Sequence, residues 1–139
     1  MTERKNIFFY GTLLDHDVLT HVLEADVAPA RLAPATLKGY RRVYIRGRLY
    51  PMLVKAPEHR FEGKVFLDCS QEEWDKISHY ESSDYDVERV SVRTAMGDQD
   101  AFVFRGGVGQ IPTDKDWDLG TWQSHHKAAF MSRVFHEIT

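Results

Sequence analysis

From Ala35 to Leu67 the apolar residues recur at every second position, and Gly39, Gly47, Pro51, Pro57 and Gly63 punctuate the run. A period of two marks strands, whose successive side chains point to opposite faces. The stretch predicts strands over about 36–46, 49–55 and 61–68. They follow one another without the helical crossovers that parallel strands need. Val87 to Thr94 alternates in the same way, and Ala101 to Phe104 follows after the turn Met96-Gly97-Asp98, so these two read as a hairpin. The chain is therefore expected to form an α+β fold: a small mixed or antiparallel β-sheet curling toward a barrel, flanked by helices.

Ile7 to Tyr10 adds a strand near the N-terminus. Asp15 to Leu23 reads as a short helix with Val18, Leu19, Val22 and Leu23 on one stripe. Pro29 and Pro34 mark a loop. Ser70-Gln71-Glu72-Glu73 is a capping box that opens a helix to about Tyr80. Asp116 or Asp118 begins a C-terminal helix, about 116–136, carrying Trp122, Ala129, Phe130 and Val134. No repeat or linker divides the 139 residues, so one domain over 1–139 is expected.

Net charge is −3, which gives no bulk attraction to nucleic acid or to an anionic membrane. Lone Cys69 excludes an internal disulfide and suits a reducing compartment. The N-terminus lacks the apolar core of a signal peptide, and no apolar run approaches the ~20 residues that span a bilayer. A cytoplasmic soluble protein is expected; nothing in the pattern specifies an oligomeric state.

Lys38, Arg41, Arg42, Arg46 and Arg48 are interleaved with Tyr40, Tyr44 and Tyr50. Such a stretch could bind single-stranded nucleic acid or receive an anionic leaving group. Parity favours a simpler reading: Arg42, Tyr44, Arg46 and Arg48 form the solvent face of a strand whose other face holds Val43, Ile45 and Leu49. The histidines form no HxH, HExxH or Cys/His quartet, so no metal is expected. Gly106-Gly107-Val108-Gly109 lacks the residues of a phosphate loop and reads as a flexible loop. Cys69 is expected to be an inert strand-end thiol.

Two features carry chemistry. In Phe8-Phe9-Tyr10-Gly11-Thr12-Leu13 a strand runs into small residues and then into Asp15, a helix cap. Such junctions leave N–H groups unpaired, where they can hold an anion; the plainer alternative is a tight turn. Trp74, Ile77 and Glu81 stand at i, i+3 and i+7, which puts Glu81 on or just past the apolar face of its helix. A carboxylate turned inward loses hydration and its pKa rises, as suits a general acid/base near neutral pH. The alternative is a frayed helix end with Glu81 in solvent.

Tyr10-Gly11-Thr12-Leu13, Tyr50-Pro51, Phe61-Glu62-Gly63-Lys64-Val65-Phe66, and Tyr80-Glu81 followed by Tyr85 together resemble the γ-glutamylcyclotransferase-like (AIG2-like) family over about residues 6–105. The resemblance implies a small mixed β-barrel with helices packed on it and a cavity at one mouth. It implies an enzyme that cyclises a γ-glutamyl group to 5-oxoproline and releases an amine or amino acid, with no metal, covalent nucleophile or cofactor. Carried onto this chain, Glu81 is the acid/base and the N–H groups of Gly11, Thr12 and Leu13 hold a carboxylate or oxyanion. Tyr10 and Tyr50 are pocket walls, and Tyr85 is a hydrogen-bond partner for substrate or Glu81. The implied partner is a small γ-glutamyl compound. Where family members commonly carry glycine after the glutamate this chain has Ser82, and Asp86 and Val87 stand where a basic residue tends to follow the tyrosine, so the loop beside Glu81 is expected to differ in shape. The alternative on the same fold is a non-catalytic module that binds a small carboxylate or a partner.

Overall fold

The computed structural model describes residues 4–81, 85–106 and 109–138, with the side chains of 85, 106 and 134–138 excepted. Six strands and four helices succeed one another: β1 (Lys5–Phe9), α1 (His16–Leu23), β2 (Leu32–Ile45), β3 (Pro51–Cys69), α2 (Gln71–Glu81), β4 (Tyr85–Thr94), β5 (Gly97–Gly106), β6 (Pro112–Asp116), α3 (Leu119–His125) and α4 (Lys127–Ile138). Strands pair in the order β3-β1-β5-β4-β2, and β2 returns to β3, closing a five-stranded barrel; β6 adds to the outer part of β2. β1 and β5 run parallel and the other pairs antiparallel, so the barrel is mixed as expected.

The apolar run at β1 has a direct cause. Phe8 and Tyr10 point into the barrel, among Leu37, Leu53, Val65, Val92 and Val103. Ile7 and Phe9 point outward, into a second core that the helices cover with Leu19, Ile77 and Trp122, joined by Trp117 from the segment between β6 and α3. A strand buried on both faces must be apolar at every position. Each such side chain stabilises the fold by about 1.5–3 kcal/mol. β3 crosses β1 so closely that a Cβ at Gly63 would lie 2.4 Å from the Phe9 carbonyl oxygen and 2.8 Å from Phe8 Cζ. Only glycine fits there, which explains Gly63 in structural terms.

Three elements differ from the sequence reading. The expected strands 49–55 and 61–68 are parts of one strand, β3, whose pairing with β2 is irregular between Lys38 and Tyr40. The strand carries Pro57 through this irregularity, where ladder hydrogen bonds are not required. Pro34, expected in a loop, lies in β2 opposite Lys64. Asp116 belongs to β6, and the C-terminal helix starts at the second candidate: Asp118 caps α3 by accepting from the Thr121 N–H at 3.3 Å. That helix is also two helices, broken at His126, which has φ −130° and ψ −21°.

The other caps are as the residue types predict. Asp15 accepts from the N–H groups of Asp17 and Val18 and starts α1. Ser70 and Glu73 exchange both capping-box bonds at the start of α2, at 2.9 and 3.2 Å. Asp15 does more than cap. Its carboxylate is buried and also receives Gln123 Nε2 at 2.8 Å and Lys127 Nζ at 2.9 Å, tying α3 and α4 to α1. Burial works to raise its pKa, but those bonds and the Val18 N–H outweigh it and hold the carboxyl below its ordinary value. No helix among the described residues is long and apolar enough to cross a membrane.

Candidate active site

A cavity of about 550 Å³ opens at one mouth of the barrel. Its size lies within the range of small-molecule sites. Four regions of the chain converge on it. The end of β1 supplies Tyr10 and the loop Gly11–Leu13; the turn before β3 supplies Leu49, Tyr50 and Pro51; α2 ends in it with Tyr80 and Glu81; and α3 and α4 form a wall with Trp122 and Phe130. Six of the seven site residues expected from the sequence, Tyr10, Gly11, Thr12, Leu13, Tyr50 and Glu81, line this one cavity. The seventh, Tyr85, opens β4 opposite Gly106, and its side chain lies outside the described part of the structure, as does Ser82.

Glu81 reaches the cavity because Trp74 and Ile77 anchor the same face of α2. Ile77 is fully buried, and the Trp74 ring packs 5.5 Å from Phe102 and 5.4 Å from Phe104. Glu81 is partly buried at the end of α2 and lines the cavity, and no hydrogen bond or cation among the described residues compensates its carboxyl. Burial alone therefore pushes its pKa up to about 8. At neutral pH such a group is mostly protonated but can give up its proton readily.

The loop opposite is held by its own turns. Leu14 N–H donates to the Gly11 carbonyl and Asp15 N–H to the Thr12 carbonyl, both at 3.0 Å. Those bonds use carbonyls, and no acceptor among the described residues takes up the N–H groups of Gly11, Thr12 and Leu13. Gly11 packs flat against Pro51: a Cβ there would meet Pro51 Cγ and Cδ at 3.3 Å. The Tyr10 hydroxyl donates to the Phe104 carbonyl inside the barrel. Tyr10 is thus a wall braced across the sheet.

Tyr80 was not anticipated. Its hydroxyl and Thr12 Oγ1 share a hydrogen bond of 2.7 Å, linking the residue before Glu81 to the amide loop. Burial raises the Tyr80 pKa, so the phenol stays neutral. Tyr80 stands three residues after Ile77, at the edge of the same face, and its i+3 spacing is the signal that could have placed it in the site. The α3 and α4 residues were invisible, because only the break at His126 turns both helices toward the mouth.

The basic stretch is a solvent-facing row only in part: Arg46 and Arg48 are exposed and Val43 and Ile45 are buried as expected, but Arg42 and Tyr44 are partly covered. Arg41 Nη2 pairs with Asp116 at 2.8 Å, and Arg42 is drawn inward, where its Nη1 donates to the Tyr10 carbonyl at 3.1 Å. Leu49, expected on the buried face, is 50% exposed in the turn before β3. The Cys69 thiol is buried and pushed up to about 12 by that burial, in line with an inert residue. No group of three or more His, Cys, Asp or Glu among the described residues could hold a metal ion.

A closed mixed barrel whose mouth brings the Glu81 carboxyl and the Gly11–Leu13 loop into one cavity defines the class of fold. The model of the family "Gamma-glutamyl cyclotransferase, AIG2-like" matches residues 7–124, and the chain belongs to that family. An Arabidopsis thaliana relative, AIG2-like protein A, is 30% identical over 131 residues, covering 91% of this chain and 76% of the relative. AIG2-like protein D of the same plant is 27% identical over 130 residues, covering 91% and 84%. A solution structure of an Arabidopsis thaliana protein superposes with a TM-score of 0.72 at 23% identity, covering 99% of this chain and 84% of that one. A solved structure named gamma-glutamyl cyclotransferase superposes at 0.55 and 16% identity, covering 81% and 73%. At these identities the two structures speak for the fold.

Proposed function

We propose that this chain is a γ-glutamylcyclotransferase that converts the γ-glutamyl group of a small amide to 5-oxoproline and releases the amine. The carrying observation is that Glu81, its pKa raised to about 8, shares a cavity with the unpaired N–H groups of Gly11, Thr12 and Leu13.

In this reading the loop amides receive the α-carboxylate of the glutamyl group, and Tyr10 and Tyr50 flank it. Glu81 takes a proton from the α-ammonium. An α-ammonium beside a free α-carboxylate titrates above the roughly 7.7–8.0 of a chain terminus, so the raised pKa of Glu81 narrows the gap between proton donor and acceptor. The freed amine attacks the γ-carbonyl carbon, a C–N bond forms and a five-membered ring closes. Protonated Glu81 then gives its proton to the departing nitrogen as the original C–N bond breaks. Both nitrogens sit on one tetrahedral carbon, so one carboxyl can serve both. Attack within one molecule removes the cost of bringing two reactants together, and the site has only to hold the glutamyl chain folded.

The test is release of 5-oxoproline from a panel of γ-glutamyl amines and γ-glutamyl amino acids by purified protein. At least one member is expected to turn over, and Glu81→Gln is expected to abolish release while near-ultraviolet circular dichroism stays unchanged. Binding of panel members without any release would instead favour a carboxylate-binding module. Full activity in the Gln variant would refute the role of Glu81.

A further inference from the structure

Arg42 lies in β2 behind the cavity, outside its lining. Its guanidinium is enclosed between the rings of Phe61 and Trp117, 5.0 and 5.3 Å from their centroids. Trp117 is itself fixed: its backbone N–H donates to the Arg42 carbonyl at 3.0 Å and its indole N–H to the Leu49 carbonyl at 2.9 Å. No carboxylate oxygen among the described residues lies within 4 Å of Arg42; Asp116 and Asp118 act on it only from farther away. Its Nε is buried without an acceptor. A cation taken out of water without a counter-ion is costly, and aromatic faces repay only part of that.

One hydrogen bond gives the guanidinium a direction. Nη1 donates to the Tyr10 carbonyl at 3.1 Å, and that carbonyl belongs to the same peptide group as the Gly11 N–H. In a trans peptide the C=O and N–H point in opposite directions. Arg42 therefore stands on one side of this peptide and the cavity on the other. Donation into the carbonyl polarises the amide and strengthens its N–H as a donor. An anion on that N–H would sit about 8 Å from the guanidinium, with protein rather than water between them.

We propose that Arg42 is a positioning residue that makes the Gly11–Leu13 loop a carboxylate site: it holds the Tyr10–Gly11 peptide in place and supplies the partly buried positive charge that a bound carboxylate neutralises. It touches neither the substrate nor the reacting atoms. The inference rests on the cyclotransferase reading only in taking the anion to be the carboxylate of a glutamyl group.

The experiment titrates the full chain with L-glutamate and with 5-oxoproline by calorimetry, in the wild type, Arg42→Met and Arg42→Lys. Met keeps the length and loses the charge; Lys keeps the charge. Loss of the charge is expected to weaken both ligands about tenfold, and Lys is expected to stay within about threefold of the wild type. On a turned-over substrate the same loss should raise KM, with kcat within about threefold. A purely structural role would lower the melting temperature without separating Lys from Met in affinity. Arg42→Gln serves as the neutral variant if Arg42→Met does not fold. Equal affinities in the wild type and the neutral variant, equal losses in Lys and the neutral variant, or a wild type that binds neither anion would overturn the proposal. A wild type that binds glutamate through Arg42 yet releases no 5-oxoproline would sink the cyclisation and leave this inference standing.

Discussion

The two ends of α2 carry glutamates with opposite fates. Glu73, in the first turn, makes a bidentate pair with Arg31 at 2.8 Å on each oxygen and closes the capping box with Ser70. The Arg31 hydrogen bonds come first among the causes that push its carboxyl down to about 2. Glu81, at the last turn, has no such partner among the described residues and is pushed up to about 8 by burial. The helix dipole acts in the same sense at both ends, favouring negative charge at the start and opposing it at the finish. One helix thus holds a carboxylate locked in its charged form and another poised between forms. The contrast teaches that an unmet electrostatic need distinguishes a carboxyl poised near neutral pH from one locked in its charged form. Glu73 is partly buried too, but its carboxylate is met by Arg31 and by the Ser70 N–H.

Exchanging the two roles gives the largest expected effects. Glu81→Gln should lower kcat by about a thousandfold or more on any substrate that turns over, within the usual range for a lost acid/base, while the fold stays intact. Glu73→Ala should leave kcat within about twofold and cost about 2 kcal/mol in urea unfolding, because Arg31 and the first turn of α2 lose a partner together. That figure is discounted for the partial exposure of both side chains, 31% and 22%.

Acidity sharpens the comparison. The Glu73 contribution to stability is present above its unfolded pKa of about 4.5 and is lost as pH falls from there toward 2. The Glu81 contribution has the opposite sign: its folded pKa is raised, so the stability present below about 4.5 is lost as pH rises through about 8. Urea midpoints followed across pH should show both windows, with the upper one absent in Glu81→Gln. If the ionised carboxylate starts the reaction, kcat/KM should rise about tenfold from pH 7 to pH 9 and level off, which a pH–rate profile reads directly.

The smallest effect concerns the link between the poised end and the loop. Tyr80→Phe removes the 2.7 Å bond to Thr12 and should reduce kcat/KM about threefold to tenfold, with Glu81 still titrating high.

Much of this was legible from the residues. The period-two pattern implied a curled mixed sheet, the capping box placed α2, and Trp74, Ile77 and Glu81 fixed which face the carboxyl would share. What escaped detection depended on closure in three dimensions. Parity separates the two faces of β2 but cannot say that Trp117 and Phe61 would enclose Arg42. Pro57 reads as a strand break because a lone strand cannot show that its partner is irregular at that point. The C-terminal wall needed the break at His126, and nothing in the apolar spacing of 119–138 marks it. The Gly11–Leu13 loop and Glu81 were thus more visible than the α3 and α4 wall, because the former lie in local motifs and the latter is assembled by packing.

The central claim is that α2 locks one glutamate and poises the other. Carbon-13 NMR titration of the side-chain carboxyls in the wild-type chain tests it in one experiment. Glu81 titrating near 8 while Glu73 titrates near 2 is the predicted result; Glu81 titrating in the ordinary carboxylate range, near 4.5, would contradict it.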